Sequence, residues 1–194
     1  MADQPLWTPD RDALAELPLS EFAREAGRRS GRDLSGYPAL HAWSVDEPAA
    51  FWDLIWDFCA VAGEKGPRSV AEGGSMRETR FFPDARLNFA ENLLRRKGDD
   101  AALVFRGEDK VERTLSWDAL RALVSRLQQA LRAMGVAAGD RVAAMMPNMP
   151  ETIAFSLATA SIGAVWSSCS PDFGVRGVLD RFGQIEPKLL VACD

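Results

Sequence analysis

The chain has 194 residues, 47% of them hydrophobic, with 23 Lys and Arg against 28 Asp and Glu for a net charge of −5. That is enough apolar material for one large or two small cores, and the acidic balance, with a pI near 5.0, argues against a nucleic-acid or anionic-membrane surface. Three cysteines and a single histidine, His41, leave almost nothing from which to build a zinc site or a Ser-His-Asp triad.

Cys59, Cys169 and Cys193 lie far apart in apolar surroundings, the pattern of buried thiols in a reducing cytoplasm rather than of disulfides. No apolar stretch approaches the roughly 18–20 residues that span a bilayer. Met1–Asp10 shows no basic region ahead of an apolar core, so no signal peptide is expected. The clusters Arg28-Arg29-Arg32 and Arg95-Arg96-Lys97 read as solvated helix ends, since cations favour a helix's last turn.

Trp7 and Pro9 lie in an extended lead, and Ser20 is placed to cap a helix running to Arg29 with Leu19, Phe22 and Ala26 on one face. Gly31 ends it, and Gly36-Tyr37-Pro38 marks a turn. Ser44-Val45-Asp46-Glu47 has capping-box spacing, and the helix it opens aligns Phe51, Leu54, Ile55, Phe58 and Ala62, with Trp52 and Trp56 widening the stripe. Aromatics so spaced serve packing rather than base stacking. Residues 63–76, rich in glycine and proline, read as a mobile loop. Asn88-x-x-Glu91 makes a further capping box, with Phe89, Leu93 and Leu94 as the apolar face, and Lys97-Gly98-Asp99-Asp100 is the expected domain boundary, giving segments 1–98 and 99–194.

From Ala101 the period shortens. Ala101–Arg106 and Val111–Ser116 are expected strands of a hairpin closed by Gly107–Lys110. Ser116 caps a helix carrying Leu120, Leu123, Val124, Leu127, Leu131 and Met134, which ends at Gly135. Arg141–Met146 is a strand. Asn148-x-x-Glu151, with Pro150 in the first turn, starts a helix through Ile153, Leu157 and Ala160. The run 163–168, the loop Ser170-Pro171-Asp172-Phe173-Gly174, a helix with Val175, Val178, Leu179 and Phe182, and the strand Leu189–Cys193 form one expected βαβ unit. Strand and helix in alternation imply an α/β fold with a parallel sheet, and ligands gather at loops following the carboxyl ends of such strands. That directs attention to the loop after Cys169.

The strings WSSCSPDFG (166–174) and RFGQIEPKLL (181–190) resemble the acyl-adenylate-forming ligases, and among them the acetoacetate–CoA ligase branch. LWTP, YPALHAWSV and FWDLIWDF resemble the N-terminal extension of acetyl-CoA-synthetase-like ligases, and RFFPDARLNFAENLL (80–94) is similar to the string that precedes their main domain. The resemblance implies a helical extension followed by the first part of a parallel-sheet adenylate-forming domain with an initial hairpin. It also implies a ligase that uses ATP, Mg2+ and CoA on a small carboxylic acid, acetoacetate; the cysteine usage, acidic charge and short apolar runs add the expectation of a cytoplasmic setting without nucleic-acid or membrane partners. In the acetyl-CoA relatives the loop matching Ser170–Gly174 is Gly-Gly-Phe-Ser and lies against CoA. Here Pro171 and Asp172 replace the glycines and Trp166 stands where those relatives have His, departures typical of the acetoacetate branch.

Ser170, Pro171, Asp172 and Phe173 are therefore the candidate CoA-side loop. The alternative for the same residues is Asp172 as a helix N-cap with Phe173 packed beneath it. Arg176 and Arg181, on the polar side of the next helix, either approach a nucleotide or form a solvated face. There is no G-x-x-x-x-G-K-[ST], no G-x-G-x-x-G and no Ser/Thr/Gly-rich loop ending in Lys. No catalytic or metal-binding residue is assigned, and the chain is expected to be an inactive N-terminal fragment. A ligase for acetate or propionate and a non-catalytic α/β binding module remain as the other readings.

Overall fold

Prolines start most of the N-terminal helices in this computed structural model, which describes residues 7–71, 73–108 and 110–193. The expectations for residues 1–6, and the places of Glu72, Asp109 and Asp194 in their loops or strand end, lie outside the described residues. Helix α1, Arg11–Ala15, is opened by Asp10, whose side chain accepts from the Asp12 N–H at 3.1 Å. Helix α2, Pro18–Ser30, has Pro18 in its first turn, where a missing N–H is harmless, and Gly31 closes it at a φ of 69°. Ser20 is not its cap. It lies inside the helix and donates its hydroxyl to the Leu14 carbonyl at 2.6 Å. Phe22, Ala23 and Ala26 are buried, while Leu19 faces solvent.

The expected turn at Gly36–Pro38 is instead the beginning of α3, Tyr37–Asp46, again with proline in the first turn. Ser44 is interior to α3, its hydroxyl bonded to the His41 carbonyl at 2.7 Å, so the Ser44–Glu47 capping box does not form. Helix α4, Pro48–Phe58, starts at its proline with no side-chain cap, because proline forces the residue before it out of the helical region. Ala62 falls beyond its end. The three helices share a core of Phe22, Ala26, Leu34, Leu40, Trp43 and Leu54. Phe51 and Phe58 meet the Phe22 ring edge-on at centroid distances of 5.7 and 5.2 Å.

Residues 63–76 are not simply loop. Strands β1, Val70–Ala71, and β2, Arg80–Phe81, pair antiparallel, and Glu64 and Arg86 exchange backbone hydrogen bonds at 2.8 Å each. Arg68 forms a two-pronged ion pair with Asp84 between those pairings. The resulting arm docks on α4 through Trp52–Phe81 and Trp56–Phe82 ring contacts at 5.0 and 4.8 Å. This first compact unit is Met1–Arg86, and the second is Leu87–Asp194.

The second unit opens with α5, Phe89–Leu93, capped as expected by Asn88, whose side-chain oxygen accepts from the Glu91 N–H at 3.1 Å. Its buried residue is Ala90, whereas Phe89 and Leu93 are exposed. The division between units precedes the expected Lys97–Asp100 boundary, because Ala90 and Leu94 join the second unit's core. Strands β3, Ala101–Gly107, and β4, Val111–Ser116, form the expected antiparallel hairpin. Ser116 then caps α6, Trp117–Ala133, accepting from the Ala119 N–H at 3.2 Å. Leu120, Val124 and Leu131 are buried, and Met134 is exposed at the helix end.

Strand β5, Arg141–Met145, lies between β6, Val165–Cys169, and β7, Leu189–Ala192, all parallel. The expected βαβ unit therefore has its strands on opposite sides of β5. The unit with adjacent strands is β5, α7 (Pro150–Ser161) and β6. Burial explains this: Val142, Ala143 and Ala144 are fully buried, as a central strand covered on both faces requires. Val142 packs with α6 and α7, and Ala143 packs with Cys169 and with Phe182 of α8, Val175–Gly183. Helix α7 also departs from expectation. Asn148 makes no cap and Met149 holds that position; Ala154, Leu157 and Ala158 are buried while Ile153 is exposed. Of the three cysteines only Cys169 is buried.

Candidate functional site

The candidate site is the carboxyl end of the three-stranded sheet. Two loops leave it side by side: residues 146–149 after β5 and residues 170–174 after β6. The Met146 N–H donates to the Cys169 carbonyl at 3.2 Å, which sets their spacing. In the second loop the Ser170 hydroxyl donates to the Asp172 carboxylate at 2.9 Å and accepts from the Asp172 N–H at 3.4 Å. The Phe173 N–H closes the turn on the Ser170 carbonyl at 3.2 Å.

Asp172 is thus not the helix cap. Gly174 holds that position, and no side chain bonds to the first turn of α8. With Asp172 turned back to Ser170, the N–H groups opening α8 are left without a side-chain acceptor, and such groups favour a negative or dipolar one. Phe173 is 38% exposed, lies against Gly177, and carries the Arg181 guanidinium 4.2 Å from its ring centroid. A cation over an aromatic face is attracted by the ring quadrupole. The loop therefore presents a ring–guanidinium stack next to an uncapped helix start, a combination suited to a flat, phosphorylated group. Phe173 and Arg181 are eight positions apart, on a loop and on a helix. Their stacking depends on the turn folding back over α8, and no sequence spacing announces it.

A second feature has no signal in the local sequence. Arg113 of β4 grips Glu151, in the first turn of α7, through two hydrogen bonds of 2.7 Å. The Arg113 hydrogen bonds hold the Glu151 carboxyl below its usual range, against a smaller opposing push from burial. The guanidinium also lies 5.6 Å from the Phe105 ring centroid. The capping-box spacing of Glu151 points to its own helix, but its partner is 38 residues away. At the opposite end of the sheet, Arg141 donates to the Ile185 carbonyl at 2.8 Å, and Lys188 bonds Asp140 at 2.8 Å and the Gly135 carbonyl at 2.6 Å. These contacts are scaffold. Among the described residues, no group of three or more His, Cys, Asp and Glu side chains is placed to hold a metal ion, and no helix is long and apolar enough to cross a membrane.

Comparison with known families places this architecture. Residues 89–194, more than half of the chain, match the description of the AMP-binding enzymes. The chain belongs to the AMP-binding enzyme family. Residues 37–93 of this AMP-binding enzyme match the acetyl-coenzyme A synthetase N-terminus. It is 63% identical over 193 residues to the acetoacetyl-coenzyme A synthetase of Rhizobium meliloti, across 100% of this chain and 30% of that protein. Against the acetoacetyl-CoA synthetase of Xenopus tropicalis it is 38% identical, across 97% of this chain and 28% of that one. The solved acetoacetyl-CoA synthetase of Streptomyces lividans superposes with a TM-score of 0.90 at 40% identity, covering 98% of this chain and 30% of that structure. The chain thus spans about 30% of the length of these relatives, and its fold is that of an N-terminal part of an adenylate-forming enzyme.

Proposed function

We propose that this AMP-binding enzyme chain is the N-terminal portion of an acetoacetate–CoA ligase. In that reaction the acetoacetate carboxylate attacks the ATP α-phosphate, releasing pyrophosphate. The thiol of CoA then takes the acyl group from acetoacetyl-AMP, releasing AMP. The observation that carries the proposal is the 63% identity, across the whole chain, to the Rhizobium meliloti acetoacetyl-coenzyme A synthetase.

Residues 1–98 take the part of the helical extension, its last stretch, 87–98, belonging to the second compact unit, and 99–194 that of the first part of the AMP-binding domain. Ser170, Pro171, Asp172 and Phe173 form the CoA-side loop. The exposed Phe173–Arg181 stack and the uncapped start of α8 suit a nucleotide moiety. The described residues do not suit Mg2+-ATP: they offer neither a phosphate-cradling glycine loop with lysine nor a cluster of metal ligands. No step of adenylate formation is assigned to them. Small-molecule substrates and a cytoplasmic setting, with no nucleic-acid or membrane partner, complete the proposal.

A second substrate is favoured by one specific relative. The malonamoyl-CoA synthetase of Penicillium aethiopicum is 37% identical over 177 residues, 87% of this chain and 24% of that protein. Malonamate and acetoacetate are short carboxylates that both carry a carbonyl group beta to the carboxyl carbon. The test is acid-dependent pyrophosphate release by the full-length protein with acetoacetate, malonamate, acetate and propionate. Acetoacetate is expected to exceed acetate in kcat/KM by at least about tenfold, the scale on which one well-placed pocket contact discriminates. Faster turnover of acetate or propionate would sink the proposal, and faster turnover of malonamate would select the second substrate.

A further inference from the structure

We propose that Arg113 is a positioning residue for the thioester-forming half of the reaction, acting by holding the turn at residues 146–149 against the Ser170–Phe173 loop. The inference rests on the reading of that loop as the CoA side.

Among the described residues, the β3–β4 hairpin forms a sheet of its own and shares no ladder with β5, β6 and β7. Arg113 reaches from β4 to α7, gripping Glu151 with both guanidinium prongs at 2.7 Å. Helix α7 begins immediately after the turn that leaves β5. Its start has no side-chain cap, since Asn148 makes none. Beside the backbone bond from the Met146 N–H to the Cys169 carbonyl, two side-chain tethers help set where that turn lies. One is the Thr152 hydroxyl on the Pro147 carbonyl at 2.7 Å, and the other is the Arg113–Glu151 pair. The turn in turn holds the next loop, because the Met146 N–H bonds the carbonyl of Cys169, the residue before Ser170. A bonded path thus runs from β4 through Glu151 to the start of the candidate CoA loop.

The form of the pair also suits positioning better than stabilisation. Half-exposed ion pairs add little to stability, and the Arg113 Nε is buried with no hydrogen-bond partner, which costs some of what the pair gains. A planar two-pronged grip does fix angle as well as distance, which a lysine ammonium does not.

The test uses the full-length ligase with Arg113→Gln, Arg113→Lys, Glu151→Gln and the swapped pair Arg113→Glu/Glu151→Arg, beside Phe173→Ala. Acetoacetate-dependent ATP–pyrophosphate exchange, run without CoA, reads the first half-reaction, and the KM for CoA in the full reaction reads the second. Arg113→Gln, Arg113→Lys and Glu151→Gln are each expected to raise the KM for CoA by about tenfold and leave exchange within about twofold, as misplacement of a positioned group predicts. The swapped pair is expected to recover part of the loss. Parallel loss of exchange, CoA use and thermal stability would show a merely structural role and overturn the proposal, as would an unmoved KM for CoA in a folded Arg113→Lys enzyme. Should Arg113→Gln fail to fold, Arg113→Lys, which keeps the charge, carries the test. If Phe173→Ala raises the KM for CoA while the Arg113 variants do not, this inference alone fails. If Phe173→Ala leaves it unmoved, the loop reading fails and takes the inference with it.

Discussion

Among the described residues, side-chain caps and prolines divide every helix start between them except that of α8, which Gly174 opens with neither. Asp10, Asn88 and Ser116 cap their helices by hydrogen bonds. The helices starting at Pro18, Tyr37-Pro38, Pro48 and Pro150 have no side-chain cap at all. Three expected caps that do not form, Ser20, Ser44 and Asn148, each lie within a few residues of one of those prolines, whereas at α8 Asp172 is displaced by its bond to Ser170. The fixed φ of proline defines the first turn, so a nearby capping pattern is overruled. Ser116→Ala is accordingly expected to cost about 1 kcal/mol of the second unit's stability, measured by urea unfolding followed on helical circular dichroism. Ser44→Ala should leave the helix start unchanged. Charge acts at the same scale. Hydrogen bonds from Arg28, and next from Arg29, lower the Glu25 carboxyl from 4.5 to about 2, and Lys65 followed by Arg29 lowers Asp57. A carboxyl with a depressed folded pKa contributes its stability above its unfolded pKa and loses it as pH falls through the folded value. For Glu25 that window runs from about 4.5 down to about 2. Replacing both Arg28 and Arg29 by Gln should flatten acid destabilisation in that window, read as melting temperature against pH, and only modestly, because these groups are solvent-exposed.

At the scale of elements, the arm at residues 64–86 shows how a glycine-rich stretch becomes ordered backbone. Gly66 has a φ of +75°, and a Cβ there would lie 2.6 Å from the Asp84 Cβ. Gly66→Ala should therefore loosen the Arg68–Asp84 and Glu64–Arg86 pairings, at a backbone cost of about 1–2 kcal/mol for the left-handed conformation alone. Faster amide exchange at Glu64, Phe82 and Arg86, with helices α2 and α4 unaffected, is the expected readout; unchanged exchange would contradict it. The parallel sheet teaches a related lesson. Its strands were legible from apolar runs, but their order was not, because a fully buried strand has no polar face to mark its neighbours.

For the whole molecule, the decisive observation is what remains uncovered. Strands β6 and β7 each pair only with β5 among the described residues, and parallel sheets ordinarily have their edges and faces covered. Val175 and Leu179 on α8 are 76% and 66% exposed, and Val165 and Leu190 on the edge strands are 50% and 54% exposed. The 194-residue chain expressed by itself should associate with rising concentration and bind a dye for exposed apolar surface. Sedimentation equilibrium showing a strict monomer, together with one sharp two-state melt, would favour the self-contained binding module instead.

By itself the sequence determined the helix and strand types of the second unit, the Asn88 and Ser116 caps, the α/β class and the strings that led to the AMP-binding enzymes. All of these are local: periodicity and capping depend on residues within a few positions of one another. Only the tertiary structure decided that β5 is central, that Glu151 answers Arg113 rather than its own helix, and that Arg181 lies over Phe173. The physical reason is common to the three. Periodicity records that a face is apolar and composition records that a charge is present, but which distant element covers that face or meets that charge depends on how the elements pack together.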